Sequence, residues 1–563
     1  MSTALEAASL IMIPTSYSDG LLASVKPNDG AGDFTFSRGS NISATRVNAD
    51  GYIEKGRENL ATYSNDFSQG VWSKVSGASV VGKTATDPFG VANNAWVVTF
   101  DGTLNGRIQR LFPNSVMTMS LWAKSQSGTQ NVEIGFGTGE VVTKTLTTTW
   151  TKIDTFTAIN TYSRIKCDDA ATIHIFGWQV EVGLAATPYI ESGATTGKAG
   201  ILEDMPRIDF SGGNQSLLLE PSRTNLIQQS EYLSGYTLTN SSIETNATTS
   251  PEGVVNATRL IEDTSTGEHR ILNPTILTSS GTAYTYSFFV KANGRSKLRF
   301  YSFQFNNLTT IFDFVANNVI STSGGTSPSV TSESYGNDWY RVSISDTTTA
   351  INVAVNTMLV KDDNSFSYTG DGTSGVYLYG FQLEQDATYP TSYIPTYGVS
   401  QTRLQDDCVK TGISSLIGQT EGTLFIEWEQ QLTEDVYAMF GLNDGLNNNR
   451  VNLALNQLGN SRLGLVYRIN GTSHYSNINI QNLNVGTTYK AAVAYTQTTL
   501  KMYLNSSLVV NETGFSASGG TFNELNFKLQ SSGSSFPFAM PTKQVLVFPT
   551  ALSDEECITL TTI

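Results

Sequence analysis

Polar and apolar positions alternate with a period of two along most of the chain. Residues 285–290 run Thr285, Tyr286, Ser287, Phe288, Phe289, Val290, and residues 297–302 run Lys297, Leu298, Arg299, Phe300, Tyr301, Ser302. That is the pattern of half-buried strands. Asn293-Gly294, Asp371-Gly372 and Asn470-Gly471 punctuate the alternation as turns. No helical stripe is sustained. The best short helix is predicted at 553–558, with Ser553 as cap and Glu556 completing a capping box. Many short strands, regular turn signals and few helices predict an all-β chain of β-sandwiches.

The pattern occurs twice. Arg57-Glu58-Asn59-Leu60, followed by Tyr63, Phe67 and Trp72, returns as Arg223-Thr224-Asn225-Leu226, followed by Tyr232 and Tyr236. Ser120-Leu121-Trp122-Ala123-Lys124 matches Ser287-Phe288-Phe289-Val290-Lys291, and Trp150 matches Trp339. Gly177-Trp178-Gln179-Val180-Glu181 matches Gly380-Phe381-Gln382-Leu383-Glu384, and Tyr189-Ile190 matches Tyr393-Ile394. Each unit is long enough to close its own core, so these are duplicated domains. The matched positions are mostly large and apolar, which makes a sandwich core the copied object, with no polar constellation clearly accompanying it. The later half of the second copy is longer, and its insertions are expected in loops. The division is a leader over 1–56, a first module over 57–200, an apolar connector over 201–222, a second module over 223–405 and a distinct unit over 406–563. Phe34-Thr35-Phe36 precedes the first copy as Ile208-Asp209-Phe210 precedes the second, which suggests that the repeating unit includes this ribbon. The connector is expected to pack as strands against a neighbouring module.

Composition narrows the function classes. Charged residues are 15% of the chain, against about 25% in a typical soluble protein, and Ser, Thr, Asn and Gly take their place. A net charge of −15 and the lack of any basic run argue against nucleic acid. Cys167, Cys408 and Cys557 are too scattered for a disulfide framework or zinc site and read as packed thiols made in a reducing cytoplasm. No apolar run is long enough to insert into a membrane, and the start lacks the basic region of a signal peptide.

Residues 421–428, 488–495, 499–505, 544–548 and 551–556 follow one another as the strands and short terminal helix of a two-sheet jelly roll. In that order they resemble the laminin-G/concanavalin A-like lectin superfamily. Thr488-Tyr489-Lys490 departs from the usual Trp-His pair and Asn505-Ser506-Ser507 from the Asp-Gly turn, so no ligand residues transfer. The Arg-x-Asn-Leu opening, the aromatic run and the Gly-Trp-Gln-Val-Glu or Gly-Phe-Gln-Leu-Glu strand resemble carbohydrate-binding-module jelly rolls of bacteriophage virion proteins. The stretch 206–226 is similar to phage appendage and head-fibre proteins. The resemblance implies tandem jelly-roll sandwiches with a C-terminal concanavalin A-like sandwich. It further implies a fibre or capsid-surface appendage made in the host cytoplasm and carried on the virion. Other virion proteins and host cell-surface polysaccharide would be its partners, and a homotrimer its state by analogy with fibres. The leader would then dock onto the particle through Leu10, Ile11, Ile13, Phe34 and Phe36.

Sugar binding needs exposed aromatic faces beside amides and carboxylates. Trp72 and Tyr236 lie near turn residues and are the glycan-contact candidates, whereas Trp122, Trp150, Trp178 and Trp339 are expected in the core. Asp168-Asp169, Asp362-Asp363 with Asp371, and Asn443-Asp444 are the places for a structural calcium, although solvated turns explain them as well. No other cofactor is expected. Glu427 and Glu429 share one strand face, but a glycan hydrolase of the concanavalin-like type would need a third carboxylate that is absent. His174, His269 and His474 are isolated and no nucleophile elbow accompanies them. The expectation is a non-enzymatic protein, with a secreted cellular lectin as the alternative and a hydrolase last.

Overall fold

The computed structural model describes every residue except 1, 41–42, 138–139, 158–160, 432–437, 456–460 and 532–533. Among the described residues the chain is all-β, and its longest helices are Ser2–Ala7 and Asp554–Leu560. The second is opened by Ser553, which forms the expected capping box with Glu556. The predicted turns hold too. Asn470 and Gly471 both take positive φ, at 49° and 76°. The glycine-free turn at Asn505-Ser506 does the same, at 46° and 66°.

The first module is a sandwich of two five-stranded sheets. One runs Thr151–Thr157, Met117–Ser125, Ala170–Val182, Ala95–Asp101, Ala78–Ala85, and the other Glu140–Leu146, Gln130–Phe136, Tyr162–Cys167, Gly106–Leu111, Ser73–Val75. The second module repeats this order in two six-stranded sheets. Its extra length is loop in part, as expected, at residues 361–374, and strand in part. Asn318–Ser323 and Ser329–Ser334 add one edge strand to each sheet, pairing with Leu308–Asp313 and Trp339–Thr347. In both copies the repeated glycine sits where the central strand slips register, with φ of 66° at Gly177 and 65° at Gly380. A Cβ there would meet the Tyr189 ring at 3.3 Å or Phe289 at 3.0 Å, so only glycine fits without a shift.

The third sandwich is assembled from three distant stretches of chain. Its eight-stranded sheet takes Leu10–Met12 beside Thr542–Phe548, and Ile208–Asp209 and Ser216–Leu217 from the connector. Its nine-stranded sheet begins with Tyr17–Ser18, Leu21–Leu22 and Phe34–Ser37, the last pairing with Asp407–Thr411. The connector packs as strands, as expected. Phe34-Thr35-Phe36 and Ile208-Asp209-Phe210, however, are not equivalent ribbons before two modules; they belong to opposite sheets of one sandwich.

This placement corrects the docking assignment of the leader. Leu10, Phe34 and Phe36 are at most 1% exposed inside the sandwich core, beside Leu424, Phe440 and Val547. Ile11 is buried and Ile13 half-buried against a second layer under the terminal helix, with Phe425, Tyr503 and Phe548. Apolar side chains already removed from water by their own chain are not available to hold a particle.

Two buried charge networks fasten the modules together. Lys55 of the leader hairpin binds Glu231 at 2.8 Å and also Glu252, which Arg57 meets at 2.9 Å. Tyr379, Tyr393 and Tyr397 donate to the same Glu231 oxygen at 3.0, 3.1 and 2.8 Å. At the junction with the third sandwich, Arg207 binds Glu220 at 2.6 Å and also Asp406, Arg403 binds Glu220 at 2.9 Å, and Arg38 binds Asp406 at 3.3 Å. Burial opposes the Glu220 charge, but Arg403 and Arg207 hold its pKa down to about 2.

Candidate functional site

A polar constellation does travel with the duplication. Asn59 is fully buried; its amide donates to Trp178 O and Ile190 O at 3.2 and 2.9 Å, and its oxygen accepts from Ala61 N and Val180 N at 3.0 Å each. Asn225 repeats the set with Phe381 O, Ile394 O, Ile227 N and Leu383 N, at 2.9–3.1 Å. The Gln179 and Gln382 oxygens accept from Ile190 N and Ile394 N at 2.6 and 2.7 Å. Glu181 and Glu384 accept from the backbone of Thr187 and Thr391, and Ser64 and Ser230 bond Tyr189 and Tyr393. These groups stitch the first strand of each module to its last segment. They are buried and mutually satisfied, which makes them a closure rather than a ligand site.

The two copies differ in which surface they leave open. Trp72 donates its indole N–H to Tyr63 O at 3.1 Å, and Tyr236 donates its hydroxyl to Gln229 O at 3.2 Å, so the two rings are equivalent. In copy one the space beside the ring is plugged. The Arg110 guanidinium lies 5.4 Å from the Trp72 ring centre and donates to Thr62 O and Oγ1. In copy two the same space, between Tyr236 and Gln228, is a groove of about 370 Å³. Leu226, Ile227, Pro274, Ile276 and Leu277 form its apolar wall; Gln228, Gln229, Thr275 and Ser400 supply amides and hydroxyls. No charged side chain lines it. The Gln229 side-chain oxygen is buried without a hydrogen-bond partner.

The outer sheet face shows the reverse. In copy two, Ile53 of the hairpin formed by Thr45–Val47 and Ile53–Lys55 closes over Phe289, Trp339, Tyr379 and Tyr393. In copy one the equivalent residues are Trp122, Trp150, Phe176 and Tyr189. Phe89, 65% exposed, is the residue that reaches Trp122 and Phe176, at 5.9 Å each.

The glycan-contact candidates are therefore displaced. Trp72 is 1% exposed, packed against Phe67 and Trp178 at 5.0 and 4.9 Å, and offers no face to a sugar. Tyr236 is 7% exposed and belongs to the core, but it borders the groove. Trp178 is a core residue as expected; Trp339 is buried on the outer sheet face beneath the leader hairpin rather than in the sandwich core, and Trp122 and Trp150 are only half-buried because they point outward from the sheet. The signal for this was present: Trp122 alternates with Leu121 and Ala123, which face the core.

The acidic loops act as turn acceptors. Asp371 accepts from Thr373 N and Ser374 N at 2.7 Å, Asp168 from Asn105 N at 2.7 Å, and Asp444 from Leu446 N at 2.9 Å. Among the described residues no group of three His, Cys, Asp or Glu side chains is placed to hold a metal ion. Glu427 accepts from Gln544 on the neighbouring strand at 2.8 Å.

No protein-family model matches this chain, and no curated protein matches it. Among solved structures it is similar to the CBM40 of the Ruminococcus gnavus IT-sialidase bound to sialyllactose, at 16% identity over 27% of this chain and 91% of that one, TM-score 0.23. It is also similar to the tandem CBM22-1–CBM22-2 of Paenibacillus barcinonensis Xyn10C, at 12% identity over 63% and 99%, TM-score 0.21. A mutant Trypanosoma rangeli sialidase displaying trans-sialidase activity matches at 10% identity over 86% and 98%, TM-score 0.23. At TM-scores this low none of them assigns an activity to this chain.

Proposed function

We propose that the protein is a non-catalytic saccharide-binding structural protein carried on the surface of a phage particle, with the groove at Tyr236 as its binding site. One observation carries the binding part. Equivalent spaces exist in both copies, and copy two leaves its space open, with an aromatic and aliphatic wall facing amides and hydroxyls. A saccharide presents apolar C–H faces and hydroxyl edges, and this lining complements both. The place on a particle rests on the resemblance of residues 206–226 to phage appendage proteins, with other virion proteins and host polysaccharide as the partners.

The test is to restore the plug. Thr275 is exposed on the groove, and Thr275→Arg puts a guanidinium there as Arg110 does in copy one. On a glycan array the native chain binds, and the variant loses at least about tenfold in affinity, roughly 1.4 kcal/mol, with unchanged thermal stability. Equal binding by both proteins, or none by either, refutes the groove. Mass spectrometry of purified particles checks the virion role, which fails if the chain is missing from them.

A further inference from the structure

The outer sheet face of copy two is covered by the leader hairpin, and copy one carries the same face without that cover. We propose that the outer face of the first module, around Phe89, Trp122 and Trp150, docks a β-hairpin of another polypeptide. That hairpin has an aromatic–aliphatic pair at the positions of Tyr52 and Ile53 and an uncharged residue at the position of Lys55. The proposal is independent of the groove at Tyr236.

The duplication supplies a covered and an open version of one site. In copy two the turn Ser250-Pro251-Glu252-Gly253-Val254 receives the hairpin. Ile53 N donates to Pro251 O at 2.8 Å, the Tyr52 ring lies over Gly253, and Arg57 meets Glu252 at 2.9 Å beside Lys55. Beneath the hairpin, Phe289, Trp339, Tyr379 and Tyr393 are at most 2% exposed. Copy one forms the same turn from Asp87-Pro88-Phe89-Gly90-Val91. Ser250 N and Asp87 N donate to Val254 O and Val91 O at 2.9 and 3.0 Å, and Gly253 and Gly90 both take positive φ, at 79° and 91°. A Cβ on Gly253 would meet Tyr52 at 3.2 Å, whereas one on Gly90 would meet nothing within 4 Å. Trp122, Trp150 and Tyr189 stay half-buried, and Phe89 is 65% exposed.

The covered copy also defines the occupant. An extended strand fits because Pro88 holds the place of Pro251, whose carbonyl pairs with the hairpin backbone. Aromatic and aliphatic contacts fit because the rings that Ile53 covers in copy two have counterparts in copy one, and buried aromatic contacts carry much of the energy of protein interfaces. The charge follows from Phe89, which takes the position of Glu252. An ammonium set there as Lys55 is would lose water with no carboxylate to replace it, whereas an aliphatic side chain would cover the ring. The leader hairpin of a second copy does not qualify, because its Ile53 and Lys55 are buried on their own second module.

Cyclised peptides of residues 44–56, one native and one with Lys55→Leu, are the probes, since ring closure pre-organises a hairpin too short to hold itself. Titrated into the full chain and followed by tryptophan fluorescence, the Lys55→Leu peptide is expected to bind at least about tenfold more tightly than the native one. Hydrogen exchange should slow at residues 86–94. Phe89→Glu, an exposed change that restores the acid of copy two, should reverse the preference and leave the thermal midpoint unchanged. Three results would each overturn the proposal: no binding of either peptide at about 1 mM, an order of affinity that Phe89→Glu leaves as it was, or protection confined to the second module. A glycan-array signal that Phe89→Glu abolishes while both peptides fail would give the face to a sugar and overturn it as well.

Discussion

Each copy of the repeated asparagine makes four hydrogen bonds to buried backbone, and this is where the duplication is most literal. Asn225→Ala would leave two carbonyls and two amides without partners inside the second module. The expected loss is about 2–4 kcal/mol, read as a lower unfolding midpoint of the second module in denaturant. A loss below about 0.5 kcal/mol would mean that water or another side chain replaces the amide. Much of this closure was legible. Asn59 with Asn225, Gln179 with Gln382, Glu181 with Glu384 and Tyr189 with Tyr393 are aligned in the sequence itself. The apolar landmarks on the same strands mask it. The signal at Trp72 misleads for a related reason. Its neighbours Gly70 and Ser73 mark a turn, and turns are usually wet, but here the turn folds its ring back between Phe67 and Trp178.

Among the elements, those with long alternation were readable and the short ones were not. Met117–Ser125 or Ala283–Asn293 carries several periods of the pattern. Leu21–Leu22 and Ile208–Asp209 have two residues each, too few to show any period. The third sandwich depends on such pieces, so its composite origin lay outside local signals. Residues 1–37 supply Leu10, Met12, Leu22, Phe34 and Phe36 to its core. At about 1.5–3 kcal/mol for each large apolar side chain, their removal costs on the order of 10 kcal/mol, comparable with the whole stability of a domain. A chain lacking residues 1–37 should therefore lose the calorimetric transition of the third sandwich and become protease-sensitive beyond residue 406. The transition of the first module should persist. Retention of all transitions would show that the leader is dispensable to the fold.

The three sandwiches are joined by buried ions, and that makes the whole molecule sensitive to acid. The Glu220 carboxyl has a pKa held near 2 in the folded protein against an ordinary value of 4.5. A depressed carboxylate contributes its full stability above the unfolded value and loses it as pH falls through the folded one. Thermal stability should thus hold from neutral pH down to about 5 and decline as pH drops from about 4.5 towards 2. Glu220→Gln should cost about 3–5 kcal/mol at neutral pH by stranding Arg403 and leaving Arg207 with Asp406 alone, and should flatten the acid decline. A variant with the native acid profile would show that the junction is not held by this charge.

The pairing of Phe34–Ser37 with Asp407–Thr411 also sets a timetable for synthesis. The first strands leave the ribosome about 370 residues before their partner. At about 5–20 residues per second, that is a wait of roughly 20–70 s. During it the first duplicated module can finish folding while Phe34 and Phe36 remain uncovered. Until the third sandwich closes, these apolar side chains are exposed to aggregation, and its closure removes that exposure.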